Sequence, residues 1–185
     1  MIQDEELKKR LKKIILEKGV FFKEVVLSSG KKSNFYIDCR VITLSPEGIY
    51  LVSKIIFEII KNEDIDAIGG LTLGADPIVS GVSLISFIEK KPVNAFIVRN
   101  IQKEHGMGKL IEGNIEKGWN VAIVDDVATT GSSIIKAIST VENFGAKVKK
   151  VICIVDREEG AKEIIAKKGY KLEPIFTRSE LVQIG

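Results

Sequence analysis

The 185-residue sequence predicts an α/β fold, in which a mainly parallel central sheet is flanked by helices. Short apolar runs rich in β-branched residues recur along the chain, at Ile65–Ile68, Val93–Val98, Val121–Val124 and Val151–Val155. Segments with helical periodicity separate these runs, at about 76–90, 131–144 and 158–168. Continuously apolar strands that alternate with helices are typical of a parallel sheet covered on both faces.

The residues before this pattern predict smaller elements. Residues 4–18 are expected to form an amphipathic helix, whose apolar stripe is made of Leu7, Leu11, Ile14 and Ile15. Two short strands, at Val25–Leu27 and Phe35–Ile37, are expected to follow and to be joined by a basic loop. Ser45 and Pro46 then open a second helix as N-cap and first helical residue, with an inner stripe of Ile49, Val52, Ile56 and Ile59. A chain of this length is expected to form one domain over residues 1–185.

Composition excludes several classes of protein. The net charge is only +3 and the lysines are dispersed, which argues against a nucleic-acid binder. Two isolated cysteines, Cys39 and Cys153, and the single histidine His105 cannot build a Cys/His metal site. The longest uncharged run, Pro77–Ile88, is shorter than a membrane helix, which needs about 20 residues. The start of the sequence contains no signal-peptide pattern, so we expect no membrane association and a cytoplasmic location.

Ligands of parallel sheets bind at the carboxyl ends of the strands, so the segments that follow the strands are the places to search. After Val124 come two acids, Asp125 and Asp126, and then a loop of small and hydroxyl residues that leads into a helix. Backbone N–H groups at a helix N-terminus bind phosphate, and carboxylates accept hydrogen bonds from ribose hydroxyls, directly or through Mg²⁺-bound water. A capping Asp with a solvated neighbour is the structural alternative, but it leaves the full run Asp125–Ser133 unexplained.

Three other strand ends have both a functional and a structural interpretation. The glycine-rich segment Gly69–Pro77 is either a tight turn or a cradle for pyrophosphate. The stretch Arg99–Gly113 is a basic loop of about 15 residues with flexible glycines. Its functional interpretation is a lid that closes over an anion, and its structural interpretation is a solvated hairpin. Arg157 either points at the same crevice, where it would bind a carboxylate, or forms an ion pair with Glu158 or Glu159.

These segments together resemble a known family. Val121–Ser133 resembles the 5-phosphoribosyl 1-pyrophosphate (PRPP) motif of type I phosphoribosyltransferases. Within that family, three further segments are similar to segments of the orotate phosphoribosyltransferases. They are Leu27–Tyr36, the Arg99–His105 loop continuing to Gly113, and Asp156-Arg157 followed by Glu-Glu-Gly. The resemblance implies the type I phosphoribosyltransferase fold, with residues 1–45 as a small N-terminal hood segment inside the single domain. It also implies the reaction of orotate with PRPP to give orotidine 5′-phosphate and pyrophosphate, with Mg²⁺.

The resemblance also implies roles for individual residues. PRPP would be bound by loop residues, namely Arg99, Lys103, His105, Asp125, Asp126, Val127, Ala128, Thr129, Thr130, Gly131, Ser132 and Ser133. Of these, Lys103, Asp125 and Asp126 would be catalytic, while Thr129 and Arg157 would contact orotate. No protein group would bind the metal directly, since Mg²⁺ would be held by PRPP and water. The active unit would be a homodimer in which the loop of one subunit enters the site of its partner.

The sequence departs from the family pattern at three positions. Many bacterial members have a lysine at each of the positions that Ser28, Gly74 and Asn100 occupy here. Without these lysines, more of the contact with pyrophosphate would fall to Lys103. A purine-type phosphoribosyltransferase is an alternative, but it would lack the Leu27–Tyr36 segment and this Arg/Lys/His loop. A PRPP-sensing regulator of the same fold is a second alternative, and it would need a concentrated basic face to bind nucleic acid.

Overall fold

The computed structural model describes residues 2–21, 25–26, 32–33, 36–100 and 109–182. The helices are α1 (Ile2–Ile14, continued by a π-helical turn over Ile15–Gly19), α2 (Arg40–Thr43), α3 (Pro46–Ile60), α4 (Asp76–Ile88), α5 (Ser132–Phe144), α6 (Ala161–Lys167) and α7 (Arg178–Leu181). The strands are β1 (Val20–Phe21), β2 (Val25–Val26), β3 (Lys32–Ser33), β4 (Tyr36–Ile37), β5 (Ala67–Leu71), β6 (Asn94–Val98), β7 (Ile111–Gly113), β8 (Asn120–Ala128), β9 (Lys147–Asp156) and β10 (Leu172–Thr177).

The central sheet has six strands in the order β10-β9-β8-β5-β6-β7. All neighbouring pairs are parallel except β6 and β7, which are antiparallel. This confirms the predicted α/β class with a mainly parallel sheet. Alternate residues of the strands point to opposite faces, so Ala122 and Val124 pack with α3 and α4 while Val121 and Ile123 pack with α5. Both faces of the sheet are therefore buried under helices.

The N-terminal residues pack on the same core as the sheet. Leu11 and Ile15 of the first helical segment are fully buried in a cluster that also contains Ile56 of α3 and Ile152 of β9. The two short strands predicted in this region are not joined directly by the basic loop. β2 pairs with β3, which lies inside the predicted loop, and β4 pairs with β1 from before β2. The division at residue 45 stays a prediction.

The start of α3 was predicted correctly. Ser45 is the N-cap, and its hydroxyl accepts a hydrogen bond from the Gly48 N–H at 3.1 Å. Of the predicted stripe, Val52 and Ile56 are fully buried, whereas Ile49 and Ile59 are half-buried. The buried face is wider than the stripe because α3 packs against α1 as well as α4, and it adds residues such as Leu51, Ile55 and Phe57.

Two predicted boundaries differ from the structure in a way that matters for the site. β5 continues to Leu71, so Gly69 and Gly70 lie inside the strand and only residues 72–75 form the turn. The expected 15-residue loop Arg99–Gly113 is also too long, since Ile111–Gly113 forms β7 and pairs with β6. Sequence analysis also missed β10 at the opposite edge of the sheet, where Pro174 interrupts the strand pattern. Within the described residues, no helix is long and apolar enough to cross a membrane.

Gly70 fixes the distance between β5 and β8. A Cβ atom at this position would lie 2.0 Å from the main-chain oxygen of Val124 and 2.5 Å from the Ala75 Cβ. We therefore expect Gly70→Ala to lower the stability by about 1–3 kcal/mol through overpacking. Thermal unfolding measures the loss, with Lys149→Ala at an exposed position of β9 as the control. An unchanged melting temperature for Gly70→Ala would contradict this account of the strand spacing.

Candidate functional site

The acidic pair lies inside β8 and does not follow it as expected. β8 extends to Ala128 because it stays paired with β9 up to Ala128 and Asp156, although its pairing with β5 ends at Ile123. Asp125 is only 8% exposed and Asp126 is half-buried, so neither carboxylate lies at an exposed strand end. The pair therefore starts where β8 loses its β5 neighbour, at the carboxyl edge of the sheet.

The two carboxylates are held by the backbone that bears them. The Asp126 N–H donates to Asp125 Oδ1 at 3.0 Å, and the Val127 N–H donates to Asp126 Oδ1 at 2.8 Å. Burial, together with the neighbouring charge of Asp126, raises the pKa of Asp125 well above its ordinary value. The folded protein thus holds a carboxyl group whose ionised form is unfavourable until a hydrogen-bond donor or a cation reaches it.

The hydroxyl loop leads from β8 into α5. Thr129 and Thr130 are half-buried, and the Thr130 Oγ1 lies 3.2 Å from the Ser132 Oγ. Gly131 is the N-cap of α5 and has a φ of 79°, a value that side chains disfavour. A Cβ on it would also lie 3.2 Å from the Ala161 Cα. Since glycine offers no capping side chain, the N–H groups of the first turn of α5 face the loop, as an anion site requires.

The turn over residues 72–75 lies directly against the acidic pair. A Cβ atom at Gly74 would lie 2.4 Å from Asp126 Oδ1, so the close backbone approach predicted for the glycine segment falls at Gly74. Gly69 and Gly70 instead serve packing, because they face the Phe96 ring and β8. Thr72 donates to Asp76 Oδ2 at 2.8 Å, and Asp76 Oδ1 is buried with no hydrogen-bond partner within the described ranges.

Beside this turn lies an open cavity of about 460 Å³ lined by Thr72, Asp76, Ile97, Arg99, Asn100 and Glu112. The Arg99 Nη1 lies 3.5 Å from Glu112 Oε1 across the β6–β7 pair. The Arg99 Nε is buried, and among residues that the structure describes it has no hydrogen-bond partner. The sequence analysis gave no role to Asp76 or Glu112, which were indistinguishable from solvated surface acids. Lys103 and His105 lie outside the described residues.

Arg157 follows β9 at the same edge of the sheet. Its N–H donates to the Ala128 oxygen at 2.9 Å, which ties it to the end of β8, and the residue is only 3% exposed. The Arg157 Nη2 lies 2.9 Å from Glu159 Oε1 in an ion pair that lacks hydrogen-bond geometry, while Nε has no partner in the described part of the chain. The predicted ion pair is formed with Glu159, and donors of Arg157 stay without hydrogen-bond partners among the described residues, so its binding of a ligand carboxylate stays a prediction.

The corner after Arg157 is anchored by the C-terminal helical turn. Glu158 adopts a left-handed conformation with a φ of 58°, and its N–H donates to Asp156 Oδ1 at 2.9 Å. Its carboxylate accepts a hydrogen bond from the Ser179 N–H at 2.9 Å, and a second one from the Ser179 hydroxyl. These bonds lower the pKa of Glu158. The sequence contains no local signal that links residues 158 and 179.

The acidic pair on β8, the start of α5 at Gly131 and the arginines beside them give this α/β fold a site whose chemistry suits a ribose phosphate. The phosphoribosyl transferase domain family matches residues 42–180 of the chain. The orotate phosphoribosyltransferase of Aquifex aeolicus is 44% identical over 98% of this chain and 99% of its own length, and that of Pyrococcus horikoshii is 43% identical over 95% and 94%. The chain belongs to the phosphoribosyltransferase family, and within it to the orotate phosphoribosyltransferases.

Solved structures agree with this assignment. The orotate phosphoribosyltransferase of Mycobacterium tuberculosis matches with a TM-score of 0.83 and 34% identity, over 95% of this chain and 98% of that one. The same enzyme in complex with PRPP matches with a TM-score of 0.79 and 32% identity, again over 95% and 98%. The adenine phosphoribosyltransferase of Leishmania donovani, at 19% identity, a TM-score of 0.67 and coverage of 96% and 82%, shares the fold alone. The predicted type I phosphoribosyltransferase fold is confirmed.

The raised pKa of Asp125 has a consequence for stability. The ordinary carboxyl pKa is about 4, and the pKa of Asp125 in the folded protein is higher. At pH values between the two, the folded protein binds more protons than the unfolded chain, so the stability of the unliganded protein falls as pH rises. Asp125→Asn removes this charge and keeps an acceptor for the Asp126 N–H. We expect it to raise the melting temperature at pH 7 by about 2–4 °C, the shift that roughly 1 kcal/mol produces in a domain of this size, and to have no effect near pH 4.

Thermal unfolding at both pH values checks this expectation. Glu163→Gln, at an exposed position of α6, is the matched control for the change from carboxyl to amide. A lower melting temperature of Asp125→Asn at pH 7 would show that the carboxylate stabilises the unliganded fold.

Proposed function

We propose that the chain is an orotate phosphoribosyltransferase that transfers the ribose 5-phosphate group of PRPP to orotate, giving orotidine 5′-phosphate and pyrophosphate. One observation carries this proposal: three features lie together at one edge of the sheet. They are the acidic pair on β8, the start of α5 without a side-chain cap, and the Arg157 guanidinium, which has donors without hydrogen-bond partners among the described residues. The names of relatives that span nearly the whole chain support it. The transfer is the step in pyrimidine synthesis that makes the nucleotide from the free base.

PRPP has three parts that need different partners, and the edge offers each of them. The hydroxyl loop, residues Thr129–Ser133, would bind the 5′-phosphate through the N–H groups at the start of α5. Asp125 and Asp126 would accept hydrogen bonds from the ribose hydroxyls, and Val127 and Ala128 would pass beside the sugar. A solved relative in complex with PRPP supports the same substrate for this chain.

The pyrophosphate would lie toward Arg99, which the family resemblance places on the loop that one subunit lends to the site of the other. Its buried Nε has no hydrogen-bond partner in the described ranges, and the cavity beside it is open. Lys103 and His105, on the segment between Asn100 and Lys109, are proposed from the family resemblance to contact the leaving group. Together these cations would offset the negative charge that grows on pyrophosphate as the bond to the anomeric carbon breaks.

Mg²⁺ is the proposed cofactor. In the described part of the chain, no three His, Cys, Asp or Glu side chains form a group that could hold a metal, and the two neighbouring carboxylates of β8 are suited to accept hydrogen bonds from metal-bound water. We therefore propose that PRPP and water hold the ion, without direct protein ligands. When bound, Mg²⁺ would supply positive charge at the pyrophosphate oxygens.

Orotate would lie between the hydroxyl loop and Arg157. The guanidinium would pair with the orotate carboxylate, and Thr129 would contact the base. Orotate supplies the nucleophilic ring nitrogen, so the protein needs no nucleophile of its own. The protein would instead stabilise the oxocarbenium-like sugar, which the carboxylates of Asp125 and Asp126 suit by charge.

A substrate panel tests the proposed function. The protein is mixed with PRPP and Mg²⁺ and, separately, with orotate, uracil, hypoxanthine or adenine, and pyrophosphate release is measured. Release with orotate alone, lost when the metal is chelated, is expected. Release with a purine base and not with orotate would favour a purine-type enzyme, which the full-length relatives do not support.

Arg157 is expected to determine the choice of base. Uracil lacks the carboxylate and would leave the buried donors of Arg157 without hydrogen bonds, so we expect orotate to be preferred by a factor of about 10⁴ or more. Arg157→Met should lower kcat/KM for orotate by at least a hundredfold and leave PRPP binding within about threefold. Steady-state kinetics and PRPP calorimetry measure the two effects.

Glu159→Gln is the control for that substitution. It removes the carboxylate that now pairs with Arg157 but keeps the guanidinium, so orotate use should be retained. Equal turnover of uracil and orotate by the unmodified protein would refute the role of Arg157.

We further propose that the enzyme works as a homodimer with shared active sites in the cytoplasm. The outer face of α4 exposes large apolar side chains, with Leu84, Phe87 and Ile88 at 61%, 74% and 61% exposure. Such a patch is typical of a surface that a second copy covers. The family resemblance assigns the loop with Arg99, Lys103 and His105 to the partner's active site, so each subunit would lend this loop and receive one.

Mixed dimers test the sharing. Lys103→Ala damages the lent segment, and Asp125→Asn with Asp126→Asn damages the receiving site, so each variant alone should be nearly inactive. In a mixed dimer one site collects both lesions and the other collects neither. With free subunit exchange about half of the dimers are mixed, and roughly a quarter of all sites should be intact. Activity near that fraction is expected; no recovery despite demonstrated exchange would refute shared sites.

A further inference from the structure

The chain bends directly after Arg157, and Glu158 has an unusual backbone there. Two non-glycine residues of the described ranges have a positive φ, Lys90 at 59° and Glu158 at 58°. Lys90 follows the end of α4, where a left-handed residue is common. Glu158 instead lies two residues after β9, and glutamate is not among the residues that readily adopt a left-handed backbone. Contacts with the surrounding structure are therefore needed to hold this conformation.

Glu158 is clamped from two sides. Its N–H donates to Asp156 Oδ1 at 2.9 Å, and Asp156 is only 3% exposed. Its own Oε2 accepts hydrogen bonds from the Ser179 N–H at 2.9 Å and from the Ser179 hydroxyl. Ser179 lies in α7, whose N-cap Thr177 pairs with Asp156 in the β9–β10 ladder. The start of α7 is thus tied by main-chain pairing to the strand that ends at the corner, which gives the clamp a fixed base.

Glu158 separates the two residues that form the ion pair at the predicted orotate site. The Arg157 N–H donates to the Ala128 oxygen at 2.9 Å, which holds the main chain before the corner. The Arg157 Nη2 lies 2.9 Å from Glu159 Oε1, which comes after the corner. Because Glu158 alone stands between them, a change of its φ would move Glu159 relative to Arg157. The clamp therefore controls the surroundings of the buried guanidinium.

We propose that Glu158 is a positioning residue for the base-binding site, whose clamped left-handed backbone keeps the Arg157 guanidinium aimed at the orotate carboxylate. The inference rests on the proposed function. Arg157 and the hydroxyl loop that follows Ala128 belong to the same chain, so this role does not depend on the loop lent by the partner. A guanidinium binds a carboxylate through two parallel hydrogen bonds, and a misplacement of about 1 Å can slow a reaction about a hundredfold.

Three substitutions at position 158 separate the backbone from the side chain. Glycine adopts a positive φ without strain, whereas alanine keeps the strain and loses the carboxylate. We therefore expect Glu158→Ala to lower kcat/KM for orotate about tenfold and Glu158→Gly to lower it by no more than about threefold. Glu158→Gln keeps an oxygen that can accept from Ser179, so it should retain most of the activity. KM for PRPP should stay within about twofold in all three variants.

Glu116→Ala and Glu116→Gly are the matched controls. Glu116 is exposed between β7 and β8 and is not among the described residues with a positive φ, so both changes should leave the kinetics unchanged. The double variant Glu158→Ala/Arg157→Met tests the route of action. It should be no worse than Arg157→Met alone, because Glu158 acts through Arg157. Melting temperatures check that every variant is folded.

Four results would overturn the proposal. They are a kcat/KM for orotate of Glu158→Ala within twofold of the unmodified protein, glycine as damaging as alanine, an additive double variant, and a loss of PRPP affinity as large as the loss of orotate use. The last would show that the corner supports the hydroxyl loop instead, through the buried Ala161 that lies against Gly131. The proposed function fails separately, if the unmodified protein makes no orotidine 5′-phosphate.

Discussion

Asp125 is buried next to Asp126 on β8, and this concentration of negative charge constrains everything around it. A buried carboxylate needs hydrogen-bond donors or a cation, and the backbone N–H groups of Asp126 and Val127 supply only part of this requirement. The raised pKa of Asp125 reflects the remainder. The proposed ligand, a sugar with several hydroxyl groups and its own metal ion, would supply what the pair lacks, and a buried acidic pair of this kind is typical of a functional site.

The surrounding elements approach this pair more closely than side chains would allow. The residue 72–75 turn comes so near Asp126 that a Cβ at position 74 would displace the Asp126 carboxylate, and a Cβ at Gly131 would crowd Ala161 at the start of α6. The absence of a Cβ at Gly70 likewise allows β5 to lie close to β8. The site is therefore built mostly from backbone held at short distances, and its charged side chains, Arg99 and Arg157, are added at the ends of the neighbouring strands.

The sequence predicted the parts of this arrangement that depend on local pattern. The alternation of apolar runs and helices, the Ser45 cap and the acid–hydroxyl run after Val124 each reflect physical preferences over a few residues. What it missed depends on partners distant in sequence. The length of β8 is set by pairing with β9, β4 pairs with β1 from much earlier in the chain, and β7 forms because three residues pair with β6. Ser179 gave no signal, because a serine near a terminus is ordinary until its contacts are known.

The two edges of the central sheet are β7, which is three residues long, and β10, which contains Pro174. A very short strand offers few free backbone groups, and proline removes a donor from the other edge, so neither edge is suited to pair with a strand from another molecule. Growth of the sheet from one molecule to the next, the route to uncontrolled aggregation, is thereby discouraged at both ends. Among the described residues, the helical surface is therefore better suited than the sheet edges to contact between copies.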